Sequence, residues 1–143
     1  MPRIRIFLDA NILVTVLCNE YPRFGPCARV LSLVDDPRFE VYTSPLCMAI
    51  GAYYASKKNG KKLARKKITL LGEKLHMTNM GQNAMQRTLA DPRILDIEDG
   101  LQYHSALDAK CGFIVTYDRK DFRFAQIPVM DAEDFLLKHA VKR

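Results

Sequence analysis

The sequence predicts an α/β fold, a three-layer α/β/α sandwich whose mainly parallel sheet has about five strands and is covered by helices on both faces. Short apolar runs rich in β-branched residues alternate along the chain with longer helical patterns. Neither a linker nor an internal repeat divides the 143 residues. Because this length suits one ordinary domain with a full core, residues 1–143 are expected to form a single domain.

The first elements are each marked by local signals. The run that ends at Asp9 is apolar and β-branched, as in a short buried strand, and the apolar residues after Asn11 indicate a helix behind it. Pro26 suits the first turn of the next helix. The second strand is the apolar run before Ser44. There Ser44 supplies a hydroxyl N-cap and Pro45 the first position of a third helix.

The later elements follow the same alternation. Asn59 and Gly60 separate the third helix from a basic segment, Asp96 resembles the N-cap of a later helix, and Gly112 is expected to end that helix. The predicted strands span residues 4–8, 39–42, 74–77, 113–116 and 127–130. The predicted helical or basic segments span residues 11–17, 26–34, 45–56, 61–71, 82–89, 97–111 and 132–139.

Several classes of protein do not suit this sequence. No apolar run approaches the ~20 residues of a membrane span, and the N-terminus lacks the pattern of a secretion signal, so the cytoplasm is the expected location. The four cysteines lie far apart without a C-x-x-C pair, which argues against a zinc knuckle or a disulfide framework. The histidines lack metal-ligand spacing, and no nucleophile elbow or phosphate-binding loop is present.

The charge of the chain is positive and unevenly placed. The formal net charge is +6, and residues 41–72 contain no Asp or Glu. This balance favours a polyanionic partner such as RNA. A run of seven cations within eleven residues is expected to contact RNA phosphates, although a solvated helical face is an equally good interpretation. These cations are Lys57, Lys58, Lys61, Lys62, Arg65, Lys66 and Lys67.

Three acidic clusters lie beside predicted strands or at a predicted helix start. Asp9 and Asp118 directly follow strands, and ligands bind outside the carboxyl ends of the strands in open parallel sheets. Asp99 reaches the same edge if the loop before its helix turns towards it. Because gathered carboxylates repel one another unless a cation intervenes, Mg²⁺ or Mn²⁺ is the expected ligand. The clusters are Asp9, then Asp96, Glu98 and Asp99, then Asp118 and Asp121.

Each of these residues also has a purely structural interpretation. Acids at a helix start satisfy free N–H groups and the helix dipole, which suits Asp96 best. Asp121 is as well suited to bonding the backbone of its own loop as to binding a metal. Asn11 and Ser44 are, on their own, more typical of helix caps.

In four segments, taken in chain order, the sequence resembles the PIN domain and in particular its VapC-type branch. The segments are Leu8–Leu13, Asp96–Leu107, Val115–Phe122 and Ile127–Met130. The resemblance implies a Mg²⁺- or Mn²⁺-dependent ribonuclease, typically a toxin paired with a small antitoxin and often a homodimer. It also implies a catalytic metal pocket of Asp9, Asp99 and Asp118, with Glu98 and Asp121 as candidate further ligands. The supporting residues implied are Asn11, Ser44 and Thr116.

Two departures from that family pattern bear on activity. Such nucleases usually carry a Glu in the helix after the second strand, whereas residues 43–50 contain no acid. Ala10 stands where relatives commonly have Thr. The expected function is therefore a metal-dependent endoribonuclease, and the alternative is an RNA-binding module of the same fold that has lost turnover.

Overall fold

The computed structural model describes residues 2–141 and contains one sheet of five parallel strands. The strands lie in the order β3-β2-β1-β4-β5, so the first strand is at the centre. This arrangement confirms the predicted α/β class and the parallel sheet. The strands are β1 Ile4–Leu8, β2 Phe39–Thr43, β3 His76–Met77, β4 Phe113–Val115 and β5 Val129–Met130.

Seven α-helices connect or follow these strands. They are α1 Ala10–Leu17, α2 Phe24–Leu31, α3 Pro45–Asn59, α4 Lys61–Lys74, α5 Gln82–Ala90, α6 Ile97–Asp108 and α7 Ala132–Phe135. Two 3-10 turns, Ser32–Asp35 and Arg119–Phe122, and a final π-helical turn, Leu136–Ala140, complete the described elements. Over residues 2–141, no helix combines the length and the apolar character needed to cross a bilayer.

The central strand is apolar throughout its buried part because both faces of the sheet are covered. Ile6, Phe7 and Leu8 are fully buried. Ile6 pairs with Val41 in β2 and with Phe113 in β4. Strands buried on both faces read as continuous apolar runs, which is why this strand could be predicted from sequence.

The order in which successive strands are added across the sheet reverses at β1, although all five strands are parallel. Strands β2 and β3 extend the sheet to one side, and β4 and β5 extend it to the other. At such a reversal the neighbouring connections diverge and leave a crevice at the carboxyl ends of the strands. The crevice lies between the ends of β1 and β4, where Asp9 and Thr116 follow directly.

Two helix starts have the predicted caps. The Ser44 hydroxyl accepts a hydrogen bond from the Cys47 amide at 2.9 Å, with Pro45 at the first helical position of α3. The Asp96 carboxylate accepts from the Glu98 amide at 2.9 Å at the start of α6. Both caps satisfy amides that have no partner inside their helices.

Some boundaries differ from the sequence predictions. Helix α6 ends at Asp108, before Gly112, because Lys110 adopts a left-handed conformation with φ 62°. The predicted last helix, residues 132–139, divides into α7 and a π-helical turn. Gly100 of α6 packs against α5 and the loop that follows it. A Cβ there would lie 2.3 Å from Thr88 Cγ2 and 2.7 Å from Ile94 Cγ2.

Candidate functional site

Asp9 lies at the end of the central strand and is only 5% exposed. Its Oδ1 accepts a hydrogen bond from the Ala10 amide at 2.8 Å, so Asp9 caps α1. Its Oδ2 accepts from the Thr116 hydroxyl at 2.8 Å. The Asp9 amide also donates to the Val115 carbonyl at 3.1 Å. The carboxyl group is therefore held in one orientation by β1, α1 and the residue after β4.

Asn11 joins the first and third acidic clusters. Its side-chain amide donates to Thr116 Oγ1 at 3.0 Å and to Asp118 Oδ2 at 3.1 Å, and its Oδ1 accepts from the Tyr117 amide at 3.3 Å. Thr116 Oγ1 further accepts from the Asp118 amide at 3.0 Å. The expectation that Asn11 caps α1 was wrong, since Asp9 has that position and Asn11 lies in the first turn. Its side chain instead places Asp118 beside Asp9.

The carboxyl group of Asp99, in the first turn of α6, lies in the electrostatic field of the other acids. Burial, together with the charges of Asp96, Asp9, Asp121 and Glu98, raises the pKa of Asp99 from 3.8 to about 7. Like charges influence one another in this way only at short range in a protein of ordinary ionic surroundings. The loop before α6 therefore brings Asp99 towards the strand ends.

Asp9 carries a similar electrostatic cost. Burial, together with the charges of Asp118 and Glu98 and against the opposing hydrogen bonds from Thr116 and Ala10, raises its pKa from 3.8 to about 6. Burial and the neighbouring Asp96 and Asp118 also raise the pKa of Glu98. These acids therefore raise one another's pKa at one edge of the sheet.

The carboxylates are near one another without forming a closed ligand cage. Among residues 2–141, no three side chains of the His, Cys, Asp or Glu types are arranged as they stand to share one metal ion. The donor set nevertheless fits a hard divalent cation, because it consists of carboxylate oxygens that raise one another's pKa.

Ser44 supports the site from behind Asp9, through a residue that sequence reasoning missed. Its hydroxyl donates to Oε1 of Gln102, a fully buried residue of α6, at 2.6 Å. Because Gln102 lies three positions after Asp99, both project from one face of α6. The only sequence signal for a role of Gln102 was its position three residues after Asp99, about one helical turn away.

Cys47 of α3 contacts Asp9. Its Sγ lies 3.9 Å from Asp9 Oδ1. Burial, followed by the Asp9 charge, raises the pKa of Cys47 to about 12, so the thiol stays protonated. Helix α3 therefore presents a neutral group at this edge, in keeping with the absence of acids between residues 43 and 50.

The seven predicted RNA-binding cations do not share one role. Lys67 Nζ donates to the Leu17 carbonyl at 3.1 Å, and Lys58 Nζ donates to the Cys18 carbonyl. These two cations satisfy the C-terminal carbonyls of α1, where positive charge is favourable. Lys57 lies over the Tyr53 ring at 4.6 Å. The remaining four are exposed on α4, and they are Lys61, Lys62, Arg65 and Lys66.

A second basic group, which sequence reasoning did not single out, lies beside the acids. A hollow of about 290 Å³ is formed between the start of α6 and the 3-10 turn after Asp118. Within residues 2–141, Lys120 and Arg123 form no ion pair, so their charges face the hollow or solvent. The lining residues are Arg93, Leu95, Asp96, Asp99, Lys120, Asp121, Arg123 and Phe124.

The solved structures that share this fold include two VapC-type proteins. VapBC2 from Rickettsia felis, solved bound to a DNA fragment from its promoter, has 16% identity and a TM-score of 0.65, covering 90% of this chain and 98% of that chain. VapC20 from Mycobacterium tuberculosis, a sarcin–ricin loop cleaving toxin, has 15% identity and a TM-score of 0.67, covering 85% of this chain and 95% of that chain. At these identities the likeness concerns the fold alone.

Comparison of the sequence itself gives a family. No curated protein matches the chain significantly. The PIN domain family model matches residues 5–120, which include β1 to β4, α6 and the three acidic positions Asp9, Asp99 and Asp118. The structural likeness to VapC toxins agrees with this match. The chain belongs to the PIN domain family.

Proposed function

We propose that this chain is a divalent-metal-dependent endoribonuclease formed by a single domain, residues 1–143, and that Asp9, Asp99 and Asp118 hold Mg²⁺ or Mn²⁺. The observation that carries the proposal is the link from Asp9 through Thr116 and Asn11 to Asp118. Two carboxyl groups from distant chain segments are thereby fixed at one edge of the sheet. Family membership supports the same reaction class.

The chain's own residues would each have a defined task in this reaction. Thr116 and the Ala10 amide orient the Asp9 carboxyl, and Asn11 orients that of Asp118. Asp9, Asp99 and Asp118 would hold the divalent ion, whose chemistry when bound would be to activate a water and polarise the phosphodiester. Lys120 and Arg123, which line the same hollow as Asp99, would contact the RNA backbone. Glu98 and Asp121 are candidate further ligands.

The biological setting we propose is that of a cytoplasmic toxin held inactive by a small antitoxin, with the toxin as a homodimer. Support comes from the structural likeness to VapBC2 and VapC20, whose names describe a toxin–antitoxin pair and an RNA-cleaving toxin. The cations Lys61, Lys62, Arg65 and Lys66 would add sequence-independent affinity for RNA.

A second candidate function is RNA binding without turnover. One observation favours it: the α3 side chain that contacts Asp9, at 3.9 Å, is the neutral thiol of Cys47, and α3 contains no carboxylate. A site with fewer carboxylates holds a divalent cation less tightly. This module would bind RNA in a salt-sensitive manner and cleave none.

The test is cleavage of single-stranded RNA by the purified chain with Mg²⁺ or Mn²⁺ and with a chelator. Asp9→Asn and Asp99→Asn should each lower the rate by at least about a hundredfold. The matched control is Asp108→Asn, an acid of the same helix as Asp99 that is paired with Arg87, and its rate should be unchanged. Equal cleavage by wild type and Asp9→Asn would reveal a contaminating nuclease, and RNA binding without cleavage would establish the second function.

A further inference from the structure

Two adjacent tyrosines of α3 are unusually exposed for aromatic residues. Tyr53 is 54% exposed and Tyr54 is 48% exposed. Their rings meet edge to face, with centroids 5.2 Å apart and an interplanar angle of 81°. Exposed aromatic faces that hold one another in place are preorganised to stack with a flat ligand.

The tyrosines line a cleft that ends at the acidic site. The cleft has a volume of about 410 Å³, and its other lining residues are Ala49, Ile50 and Glu98. The four α3 residues fall on one side of the helix, because Ala49 lies four positions before Tyr53 and Ile50 lies four positions before Tyr54. Glu98 comes from the first turn of α6, directly before Asp99. One wall of the cleft is therefore aromatic and apolar, and the opposite wall belongs to the candidate metal site.

The charge near the aromatic wall suits a polyanion. Lys57 Nζ lies 4.6 Å from the centre of the Tyr53 ring, one helical turn along α3. Neither α3 nor the first ten residues of α4 contain Asp or Glu, so a phosphate would meet no carboxylate on the α3 side of the cleft, while Glu98 lies on the other side. An apolar protein segment would need only the rings. The combination of exposed rings, a cation and a helix without acids indicates a nucleotide.

We propose that Tyr53 and Tyr54 form a binding site for an unpaired nucleobase of single-stranded RNA, with Lys57 contacting the phosphate next to that base. The location of the base relative to the cleaved phosphodiester rests on the proposed function, since only Glu98 connects the two sites. The volume of the cleft, about 410 Å³, lies within the range of small-ligand sites. Duplex RNA cannot enter, because its bases are already stacked.

The proposal is tested by binding in the presence of a chelator, so that no cleavage occurs. The probes are a short single-stranded RNA, the same sequence as a duplex, and an abasic strand that keeps every phosphate. Wild type should bind the RNA about tenfold more tightly than the abasic strand for each base that stacks. Tyr53→Ala/Tyr54→Ala should lose this preference, whereas Tyr53→Phe/Tyr54→Phe, which keeps both rings, should retain it. Tyr21→Ala, which alters an exposed tyrosine outside the cleft, is the matched control.

A second measurement does not depend on the folding of the alanine variant. The chain has six tyrosines and no tryptophan, so tyrosine emission can be followed directly. Emission should fall on adding the RNA and stay unchanged with the abasic strand. In Tyr53→Phe/Tyr54→Phe this fall in tyrosine emission should no longer occur, although the RNA still binds.

The outcomes separate this proposal from the proposed function. Tyrosine-dependent binding without cleavage under any divalent ion would leave the base site standing and remove the nuclease. Metal-dependent cleavage with equal affinity for RNA and abasic strand would overturn the base site and leave the nuclease. An alanine variant that changes the oligomeric state and keeps the preference for RNA would show that these tyrosines contact a second copy of the chain, which also overturns the proposal.

Discussion

The Thr116 hydroxyl donates a hydrogen bond to Oδ2 of Asp9 at 2.8 Å, and both groups are buried. The same oxygen of Thr116 accepts from Asn11 and from the Asp118 amide. One hydroxyl therefore connects the residues that follow β1 and β4. Its orientation is fixed, since both of its acceptor positions are occupied and only Asp9 remains to receive its proton.

Removing that hydroxyl should impair both the fold and the reaction. Thr116→Val keeps the shape of the side chain but leaves the buried Asp9 oxygen without a donor, which should cost about 1–3 kcal/mol of unfolding free energy. We expect RNA cleavage to fall roughly ten- to hundredfold, as for partners that orient metal ligands. Thr116→Ser restores the donor and should recover most of the rate. Denaturant titrations and initial rates provide the measurements, and full activity of the valine variant would contradict this role.

The raised pKa values predict an unusual dependence of stability on pH. The folded-state pKa of Asp9 is about 6 and that of Asp99 about 7, against an ordinary value of 3.8. Their stabilising contribution is therefore complete below about pH 4 and is lost as pH rises towards 7. Relative to Asp9→Asn, wild type should lose stability across this window, as measured by thermal melts without metal. Mn²⁺ should restore stability near pH 7 and have little effect near pH 4, whereas a difference that does not change with pH would refute the prediction.

Some lysines of the basic segment contact α1 and others are exposed, so they should differ in their effect on the salt dependence of RNA binding. Each phosphate contact to single-stranded RNA contributes about 0.7 to the slope of log affinity against log salt. Lys62→Ala and Lys66→Ala should each reduce the slope by about that amount, as read from titrations at several salt concentrations.

Lys67 supplies the matched comparison, because its ammonium donates to the Leu17 carbonyl. Lys67→Ala should leave the slope unchanged and lower the unfolding free energy by about 1 kcal/mol. If Lys62→Ala and Lys66→Ala had the same slope as wild type, these exposed cations would not contact RNA.

Two glycines provide a matched test of helix packing next to the site. A Cβ on Gly100 would lie 2.3 Å from Thr88 Cγ2, whereas a Cβ on Gly112 would meet nothing closer than the Arg5 carbonyl oxygen at 3.9 Å. Gly100→Ala should therefore cost about 1–3 kcal/mol through overpacking and displace the first turn of α6. Gly112→Ala should be close to neutral. Chemical denaturation distinguishes them, and equal stabilities would show that α5 yields without cost.

The parts of the site that follow strands could be predicted from sequence. Asp9 and Asp118 come after apolar runs, and the carboxyl ends of parallel strands necessarily share an edge of the sheet. The PIN fold was predicted from the resemblance of four segments to that family, and this prediction is confirmed. The metal and catalytic assignments of Asp9, Asp99 and Asp118 stay predictions until cleavage and metal binding are measured.

The contacts between distant helices could not be predicted. The pairing of Ser44 with Gln102 spans 58 positions, and no local pattern specifies it. The contacts of Lys58 and Lys67 with the end of α1 depend on how α3 and α4 pack. Counting the cations in the sequence does not reveal that packing. Asn11 was taken for a cap because composition alone cannot show which of two neighbouring polar residues occupies that position.

The bond between Thr116 and Asp9 joins positions 107 residues apart. Asp9 follows the first strand, whereas Thr116 and Asp118 follow β4. On the proposed function, a copy of the chain that stops before β4 would therefore hold Asp9 without the hydroxyl that orients it and without the third carboxylate, and it would cleave no RNA.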